Sequence, residues 1–358
     1  SGGLSPYDVA EAHRLYQDGQ QREIGGFWSR VERLIGGLDK GGADRSVAAA
    51  LAPHRRARAA AWAARYVQGF HAADLDRMSV RSLGRSEGGD ASGATGARRI
   101  LDGYDQVPAA LAAALHGPLA DVRLGTIVTE IRWAPGQVTV KARTAGGETV
   151  GPFHAARAVV TLPLGVLKAM PGQDGAVDIS PMPAEWSDAL ELLEMGHVTR
   201  ATLRFRRAPW PEDLGYLHTP DAPFAIWWTP LPVRAPIITG WAGGPCAREL
   251  GTLDCQALAA VALDALAPAI GVPRHELGAL LVSTHHHDWT ADPYARGAYS
   301  YAAVGGADAF EALGRPVEGT LVVAGEATAE RGENGTVQGA MASGERAAAA
   351  LLTGGSAA

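Results

Sequence analysis

A run of small apolar residues near the end of the chain leads directly into a carboxylate. Residues 322–328 read VVAGEAT, and residues 335–339 read GTVQG. A buried strand that stops at Gly325 and Glu326, followed by a helix that starts after a glycine, is typical of a ligand cradle, because ligands in open α/β sheets lie beyond the carboxyl ends of strands. In that place, Glu326 can accept hydrogen bonds from the hydroxyl groups of a ligand.

The helix predicted after this strand can approach a flat ligand closely, because one of its faces carries only small residues. These residues are Thr336, Ala340, Ser343, Gly344 and Ala347. Its first N–H groups form the positive end of the helix dipole and stabilise an anionic ligand atom by about 0.3 to 1 kcal/mol. A flavin, whose ribityl hydroxyls suit Glu326, offers both features. The motif alone is equally consistent with a solvated Glu326 and a turn glycine at Gly335.

Composition and charge narrow the class of protein. The chain has 358 residues, of which 47% are apolar and 20% charged, which is ordinary globular composition and enough for roughly two domains. A net charge of −6 without a basic stripe disfavours nucleic acid and anionic membranes as partners and slightly favours a cationic small substrate. No apolar run approaches the roughly 20 residues of a membrane helix. Cys246 and Cys255 match no metal or redox spacing, so we expect a soluble protein of a reducing compartment, the cytoplasm.

Apolar periodicity and turn residues predict the secondary structure that must position this cradle. The first part of the chain is predicted to be helical over residues 6–37 and 46–72, with a loop at 87–96. Another helix follows, with Asp105 as its cap and Gly117 at its end. The further predicted strands are 127–133, 137–143, 157–161, 198–205, 236–242, 279–287 and 319–324, and the further predicted helices are 184–194, 253–267 and 336–352.

Four ordered segments resemble one known family. They are GYDQVP (103–108) with the strand at 126–128, TLPLGVLK (161–168), WTADPYARGAYSY (289–301), and AGEAT (324–328) with GTVQGA (335–340). Together they resemble the flavin-dependent amine oxidases, the family of monoamine oxidases, polyamine oxidases and flavin-dependent lysine demethylases. The resemblance extends from about residue 60 to the C-terminus and implies an oxidoreductase that binds FAD.

The resemblance assigns cofactor contacts position by position. It implies that Gly325 and Glu326 hold sugar or ribityl hydroxyls, and that the Val337 amide donates to the pyrimidine edge of the flavin. The remaining implied cofactor contacts are Val128 at the adenine, Thr161 and Leu162 near the same half, and Trp289 and Thr336 at the flavin. Since Ala298 stands where monoamine oxidases carry the cysteine that links to the flavin, the expected FAD is non-covalent.

The resemblance also assigns the catalytic residues. Trp289 and Tyr299 are expected to flank the flavin, with Tyr299 and Thr336 at the two positions of the family's substrate cage, where an aromatic face can attract an amine. Thr336 departs from the cage of two tyrosines. The implied reaction passes a hydride from an amine to the flavin, hydrolyses the imine and converts O2 to H2O2.

Arg200 stands where the family carries an active-site lysine that holds a water near the flavin. Arginine stays protonated and prefers carboxylates, so the replacement is not conservative. Three interpretations remain open: Arg200 binds the carboxylate of an L-amino-acid substrate, it alters reoxidation by O2, or it is a solvated arginine on the polar strand face that it shares with Thr202 and Arg204.

The sequence lacks the GxGxxG motif with which the family cradles the FAD pyrophosphate; no two of its glycines are spaced as GxG. The chain also begins with Ser1, so we expect that its natural start is missing and that it is a fragment of the family pattern. We expect weak FAD binding unless a second chain supplies the dinucleotide-binding unit. An incomplete, non-catalytic binding module is therefore an alternative to an enzyme.

These observations predict an α/β fold: an FAD-binding Rossmann-like domain without its N-terminal βαβ unit, and a mixed α+β substrate domain. The FAD-binding domain is expected to comprise residues 98–170 and 288–358. The substrate domain is expected to comprise residues 171–287 and a helical part at 1–97.

Two other clusters could suggest function. In a strand, only His285 and His287 of the three consecutive histidines share a face, and no third ligand is indicated, so we expect no metal site. Trp227 and Trp228 could shape a substrate pocket, but packing in the core is the favoured interpretation.

Overall fold

The computed structural model shows a mixed α/β protein. It describes residues 5–9, 12–23, 28–39, 41–89, 98–115, 120–330 and 332–353. The helices are α1 Trp28–Gly36, α2 Val47–Leu51, α3 Arg58–Phe70, α4 Val80–Gly89, α5 Gln106–Ala113, α6 Leu164–Leu167, α7 Ala184–Leu192, α8 Pro245–Gly251, α9 Cys255–Ile270, α10 Arg274–Leu280, α11 Ala309–Leu313 and α12 Val337–Thr353.

The strands form sheets of different sizes. They are β1 Pro6–Asp8, β2 His13–Gln17, β3 Gln20–Glu23, β4 Arg98–Ile100, β5 Thr126–Ala134, β6 Gln137–Thr144, β7 Thr149–Ala155, β8 Ala158–Val160, β9 Asp178–Ser180, β10 Leu193–Met195, β11 Val198–Phe205, β12 Tyr216–His218, β13 Ile226–Trp228, β14 Ile237–Gly243, β15 Leu281–His285, β16 Ser300–Ala302 and β17 Leu321–Val323. The largest has seven strands in the order β15-β11-β14-β13-β12-β2-β3, and a second has four in the order β7-β6-β5-β9. β1 pairs with β4, β10 with β16, and β17 with β8.

The seven-stranded sheet has one buried and one partly open face. In β11, Ala201, Leu203 and Phe205 are buried in an apolar cluster that includes side chains of α9, whereas Arg200 and Arg204 are exposed on the opposite face. The period-two alternation of the sequence therefore predicts the faces of β11 correctly. The open face is available to line a site.

α12 lies close to the end of β17. The side chains of Val322, Ala324, Ala347 and Leu351 form an apolar cluster, so the helix packs directly on the strand. Ser343, which is fully buried, accepts a hydrogen bond from the Gly325 amide at 2.8 Å. Ser343 and Ala347 of α12 thus serve close packing against the strand end, as the sequence indicates, whereas a Cβ at Gly344 would meet no atom within 4 Å.

The prediction of a helix over residues 6–37 is wrong for the first half of that range, where the structure has the strands β1, β2 and β3. Asp18 and Gly19 connect β2 to β3 as a tight hairpin turn, with φ of 54° and 75°. An Asp-Gly pair with positive φ at both positions is a strong hairpin signal, because this turn matches the twist of the flanking strands. Within the described residues, the second half of this region contains the helix α1, and the predicted 46–72 contains α2 and α3.

The other predicted elements are confirmed, with shifted ends in several cases. The predicted loop at 87–96 begins later, since α4 continues to Gly89, and its remainder lies outside the described residues. Asp105 stands at the N-cap position of α5, but its side chain makes no capping hydrogen bond. This helix ends at Ala113, and Gly117 lies outside the described residues. The strand predicted at 279–287 is shorter, because α10 occupies its start and β15 ends at His285.

Among the described residues, no single helix has the length and hydropathy to cross a membrane; α9 and α10 meet those criteria only as a pair bent by 117°.

Candidate active site

The parallel pairing of β8 and β17 brings two predicted cofactor segments to one sheet edge. Val160 is opposite Val323 in the register, so Thr161 and Leu162 leave the sheet beside the segment of Gly325 and Glu326. The carboxyl ends of parallel strands are where ligands bind in α/β sheets. The structure therefore places these predicted residues at the same sheet edge.

Glu326 connects three separate segments by hydrogen bonds. Its Oε2 atom accepts from the Ser300 hydroxyl at 2.6 Å and from the Gly335 amide at 2.8 Å. The Ser300 amide donates to both carboxylate oxygens, at 3.1 Å to Oε1 and 3.2 Å to Oε2. Burial raises the pKa of Glu326, and these three donors act in the opposite direction. Oε1, with one shared donor, retains acceptor capacity for a ligand hydroxyl.

Ser300 was not predicted from the sequence. Its only signal is its position beside Tyr299, at the start of β16.

Gly335 sits between Glu326 and Tyr299 in a conformation that favours glycine. Its φ is +74°, and a Cβ at this position would lie 3.0 Å from Cδ2 of Tyr299. Both the backbone conformation and the ring disfavour a larger side chain. The turn glycine is thus a structural requirement for the position of Tyr299.

Thr336 caps the N-terminus of α12. Its hydroxyl accepts from the Gly339 amide at 3.0 Å and donates to the Glu333 carbonyl at 2.7 Å. A threonine oxygen bonded to the third amide of a helix is an N-cap. Within the described part of the chain, no protein group accepts from the Val337 or Gln338 amides, and these remain directed out of the helix start. A substrate contact of Thr336 stays a prediction, and its hydroxyl is already paired.

Tyr299 and Trp289 differ in how firmly they are held. The Tyr299 hydroxyl donates to the Phe70 carbonyl at 2.6 Å, and burial, followed by the charge of Glu326, raises its pKa. Trp289 is 49% exposed and packs edge-on against the His287 ring at 4.3 Å. Tyr299 is thus a fixed neutral wall, while Trp289 presents an open indole surface.

Val128 lies at a cavity of about 380 Å³ that also includes Arg143, Gln173 and Asp174. The register of β5 against β6 shifts between Val128 and Glu130. Because a bulge bends a strand locally, the backbone at Val128 departs from the regular pairing of β5 with β6 that follows from Glu130 to Ala134.

A larger cavity of about 580 Å³, here called the aromatic cavity, lies between α3 and the open face of the seven-stranded sheet. Its ring side chains are His13, Trp62, Tyr66, Phe70, Tyr216, His218, Trp228 and Trp241, and its charged residues are Glu32, Arg65 and Arg99. Trp227 is fully buried in the core as predicted, but the neighbouring Trp228 lines the cavity instead, because adjacent residues of β13 face opposite sides. Sequence reasoning missed this cavity, although Trp62, Tyr66 and Phe70 recur every four residues.

Arg200 is exposed on the same sheet face, directly opposite Trp241 in the register. Among the described residues, no carboxylate forms an ion pair with its guanidinium group. Its side chain is therefore available to a solute.

The histidine run makes ordinary protein contacts. His286 Nδ1 lies 3.3 Å from the Arg200 carbonyl oxygen, and His287 Nε2 lies 2.9 Å from the Asp292 carboxylate. Within the described ranges, no group of three His, Cys, Asp or Glu side chains is arranged to hold a metal ion.

The sequence and the fold both have relatives. Residues 40–352 match the family model described as flavin containing amine oxidoreductase. The chain is 29% identical over 270 residues to lysine-specific histone demethylase 1 homolog 3 of Arabidopsis thaliana, covering 71% of this chain and 16% of that protein. It is 31% identical over 301 residues to polyamine oxidase 1 of Oryza sativa subsp. japonica, covering 71% and 56%. The chain thus spans about half, or less, of the length of these relatives.

A solved structure of putrescine oxidase bound to putrescine superposes with a TM-score of 0.76 at 18% identity, covering 98% of this chain and 83% of that one. At this identity the likeness concerns the fold, which is shared along nearly the whole chain.

Proposed function

The chain belongs to the flavin containing amine oxidoreductase family, and from that membership we propose that it catalyses the FAD-dependent oxidation of an amine. The proposal rests on one observation in particular. Glu326, Gly335 and the start of α12 form a single hydrogen-bonded unit at the carboxyl ends of β8 and β17. That unit offers a carboxylate oxygen next to unpaired backbone amides.

The residues present fit a flavin at this place. Oε1 of Glu326 suits ribityl hydroxyls, because among the described residues it accepts only one shared N–H. The amides of Val337 and Gln338 suit an anionic ring edge, since they have no protein acceptor among the described residues and lie at the positive end of a helix. Gly325, at φ +139° with open space around it, leaves clearance for a ligand.

The residues expected at the adenine half of the cofactor, Val128, Thr161 and Leu162, suit FAD rather than a smaller flavin that lacks the adenine. Val128 borders the cavity of about 380 Å³ and offers backbone groups to an adenine. Thr161 and Leu162 follow β8 toward the same edge as the flavin cradle. Ala298 has no nucleophilic side chain, which supports non-covalent binding.

When bound, the flavin would supply two-electron redox chemistry, so that an amine, O2 and water give a carbonyl compound, a nitrogen product and H2O2. The protein would contribute position and electrostatics. Tyr299, fixed through the Phe70 carbonyl, would orient the amine with its ring face. Trp289 would cover the adjoining surface, and Thr336 would fix the helix start that binds the flavin edge.

The phosphates of FAD require a cradle that this sequence does not contain. No two glycines of the chain are spaced as GxG, and a glycine-rich turn before a helix is the usual dinucleotide phosphate site. We propose that polypeptide outside these residues, in the same parent chain or in a second one, supplies that unit.

The proposed domain division agrees only in part with the apolar clusters, because α7, within residues 171–287, packs with β5, β6, β8 and β17. One cluster joins β5, β6, β8, β17 and α7, and another joins the seven-stranded sheet to α9. We propose that residues 98–170 and 288–358 form the Rossmann-like FAD-binding part, and that 171–287 with 1–97 form the substrate part. The two cysteines, which are free, are compatible with a reducing compartment such as the cytoplasm.

The guanidinium of Arg200, which is exposed and has no carboxylate partner among the described residues, favours a second candidate function, L-amino-acid oxidation, in which it would bind the substrate carboxylate. The third candidate is a non-catalytic binding module. Measurements of flavin retention and of peroxide release distinguish these two candidates from amine oxidation.

The test is to purify the chain, add FAD, and measure flavin absorbance after gel filtration and H2O2 release with putrescine, 2-phenylethylamine and an L-amino acid. We expect the chain joined to a GxGxxG unit to retain flavin and to release peroxide from an amine, and the chain alone to retain flavin more weakly. In the joined protein, retention should be weakened in Glu326→Gln and unchanged in the matched variant Glu345→Gln on the exposed side of α12. Peroxide from the amino acid alone would favour the second candidate. A chain that retains no flavin, even when joined to a GxGxxG unit, would refute the enzyme proposal.

A further inference from the structure

The aromatic cavity adjoins the flavin cradle through α3. Phe70, at the end of α3, borders the cavity, and its carbonyl is the acceptor of the Tyr299 hydroxyl. The indole nitrogen of Trp241, on the facing sheet, donates to the Gly69 carbonyl at 2.8 Å. A substrate held at Tyr299 would enter this cavity by extending past Phe70.

From Trp241 the cavity crosses the sheet to His13. β14 and β2 are three strands apart in the sheet order, which corresponds to about 14 Å at about 4.8 Å per strand. This span is long enough for the part of a small amine that extends beyond its reacting nitrogen to lie within the aromatic cavity.

The walls of the cavity consist of preassembled ring pairs. Tyr66 and Phe70 stack at 5.2 Å with an interplanar angle of 8°, on one helix face. His13 stacks on Tyr216 at 4.7 Å and 9°, and Trp228 lies 5.8 Å from Trp241. Aromatic rings pack against one another in offset and edge-on arrangements, so these walls complement a further ring.

The charges of the cavity do not suit a second ammonium group. Among its described lining residues, two arginines outnumber one carboxylate, Glu32, which is exposed. Arg99 donates to the Thr229 carbonyl at 2.8 Å, so it is held in the wall. Burial, together with the nearby His13, lowers the pKa of His218 to about 3, so this imidazole at the cavity floor is uncharged and cannot replace a carboxylate. Attraction to ring faces compensates only part of the desolvation cost of a second cation.

We propose that the aromatic cavity selects amines that carry one basic nitrogen joined by a short linker to an aromatic ring, in preference to diamines and polyamines. This inference rests on the proposed amine oxidation, and it names the substrate class of that site. Trp228 and Tyr216 determine the preference by contact with the substrate ring, on the side away from Tyr299.

The test is isothermal titration calorimetry of the full chain with 2-phenylethylamine and with putrescine. We expect 2-phenylethylamine to bind at least about tenfold more tightly than putrescine. Trp228→Leu, which keeps an apolar side chain and removes the ring, should cancel most of that difference and leave putrescine binding unchanged. His275→Gln, on the exposed surface of α10, is the control and should change neither affinity. If Trp228→Leu fails to fold, as judged by its thermal melt, Tyr216→Leu serves the same purpose.

Equal or tighter binding of putrescine would overturn the inference, as would a loss of both affinities in Trp228→Leu that folds normally. Peroxide measurements on the flavin-loaded protein separate this failure from that of the proposed function. If neither amine yields peroxide but the ring-bearing amine binds selectively, amine oxidation is refuted and the cavity preference stands. If peroxide comes mainly from putrescine, amine oxidation stands and the preference is refuted.

Discussion

The hydroxyl of Tyr299 donates a hydrogen bond of 2.6 Å to the backbone carbonyl of Phe70, 229 positions away in the sequence. This bond joins the strand β16, which carries the Glu326 partner Ser300, to the last residue of α3. The flavin cradle and the aromatic cavity thus share one fixed side chain. A change at the cradle that displaces the Tyr299 ring should therefore affect amine binding as well as flavin binding.

Gly335→Ala is the most direct way to displace that ring. The new Cβ would lie 3.0 Å from Cδ2 of Tyr299, in a residue with φ of +74°. We expect a loss of about 1 to 2 kcal/mol in the free energy of unfolding from the backbone conformation alone, and weaker binding of both FAD and amine. Urea unfolding and FAD titration measure the two effects.

Gly344→Ala is the matched control for this substitution. A Cβ there meets no atom within 4 Å, and the residue lies within α12. Alanine should therefore stabilise the protein by about 0.5 to 1 kcal/mol. If Gly335→Ala behaved like Gly344→Ala, the proposed link between the turn and Tyr299 would be wrong.

Glu326 should make the stability of the ligand-free protein fall as pH rises. Its pKa is raised by burial above the ordinary value of 4.5. Below that value the carboxyl is protonated in both states. Between 4.5 and the folded-state pKa, the unfolded chain releases the proton while the folded chain keeps it, so the unfolded state is stabilised relative to the folded one and the free energy of unfolding falls.

The measurement is urea unfolding of the wild-type protein and of Glu326→Gln between pH 4 and pH 7. The difference in unfolding free energy between them should shift in favour of the variant as pH rises, since glutamine does not titrate. Glu345→Gln should show the wild-type pH dependence. A difference that does not change with pH would contradict a raised pKa at Glu326.

Thr336 should contribute more to protein stability, by capping the start of α12, than to the binding of the amine substrate. Thr336→Ala removes the acceptor of the Gly339 amide, and loss of such a cap costs about 1 kcal/mol. Thr336→Ser keeps the hydroxyl and should keep the stability. Chemical denaturation compares the two variants, and amine affinity provides a second observable. If both variants lose affinity for the amine equally while only alanine loses stability, the threonine methyl contacts the substrate.

The sequence predicts elements with regular periodicity better than it predicts the site between them. The bounds of β11, Val198–Phe205, match the prediction because polar and apolar residues alternate from Arg200 to Phe205. At Asp18 and Gly19 two local signals conflict: the apolar periodicity favours a helix, whereas the Asp-Gly pair favours the hairpin that the structure contains. The contact of Tyr299 with Phe70 connects segments far apart in the chain, so no local pattern encodes it.

The flavin cradle was predictable to a greater extent, since its residues follow two short strands. What the sequence left open at Glu326 was how many of its acceptor sites the protein itself uses. The hydrogen bonds to Ser300 and Gly335 resolve that point: Oε2 is occupied and Oε1 is largely not.

Arg200 can be tested against a neighbour on its own strand. Arg200 and Arg204 are both exposed on one face of β11, so substitution of either should change the free energy of unfolding by no more than about 0.5 kcal/mol. Arg200→Lys introduces the residue that the resemblance places near the flavin, and we expect it to change the rate of reoxidation by O2, measured by stopped-flow absorbance. Arg204→Lys should not change it, because this position is two residues farther along the strand. If neither lysine variant alters reoxidation but Arg200→Ala abolishes activity on an L-amino acid and not on amines, Arg200 is a carboxylate clamp, and amino-acid oxidation becomes the better account of the site.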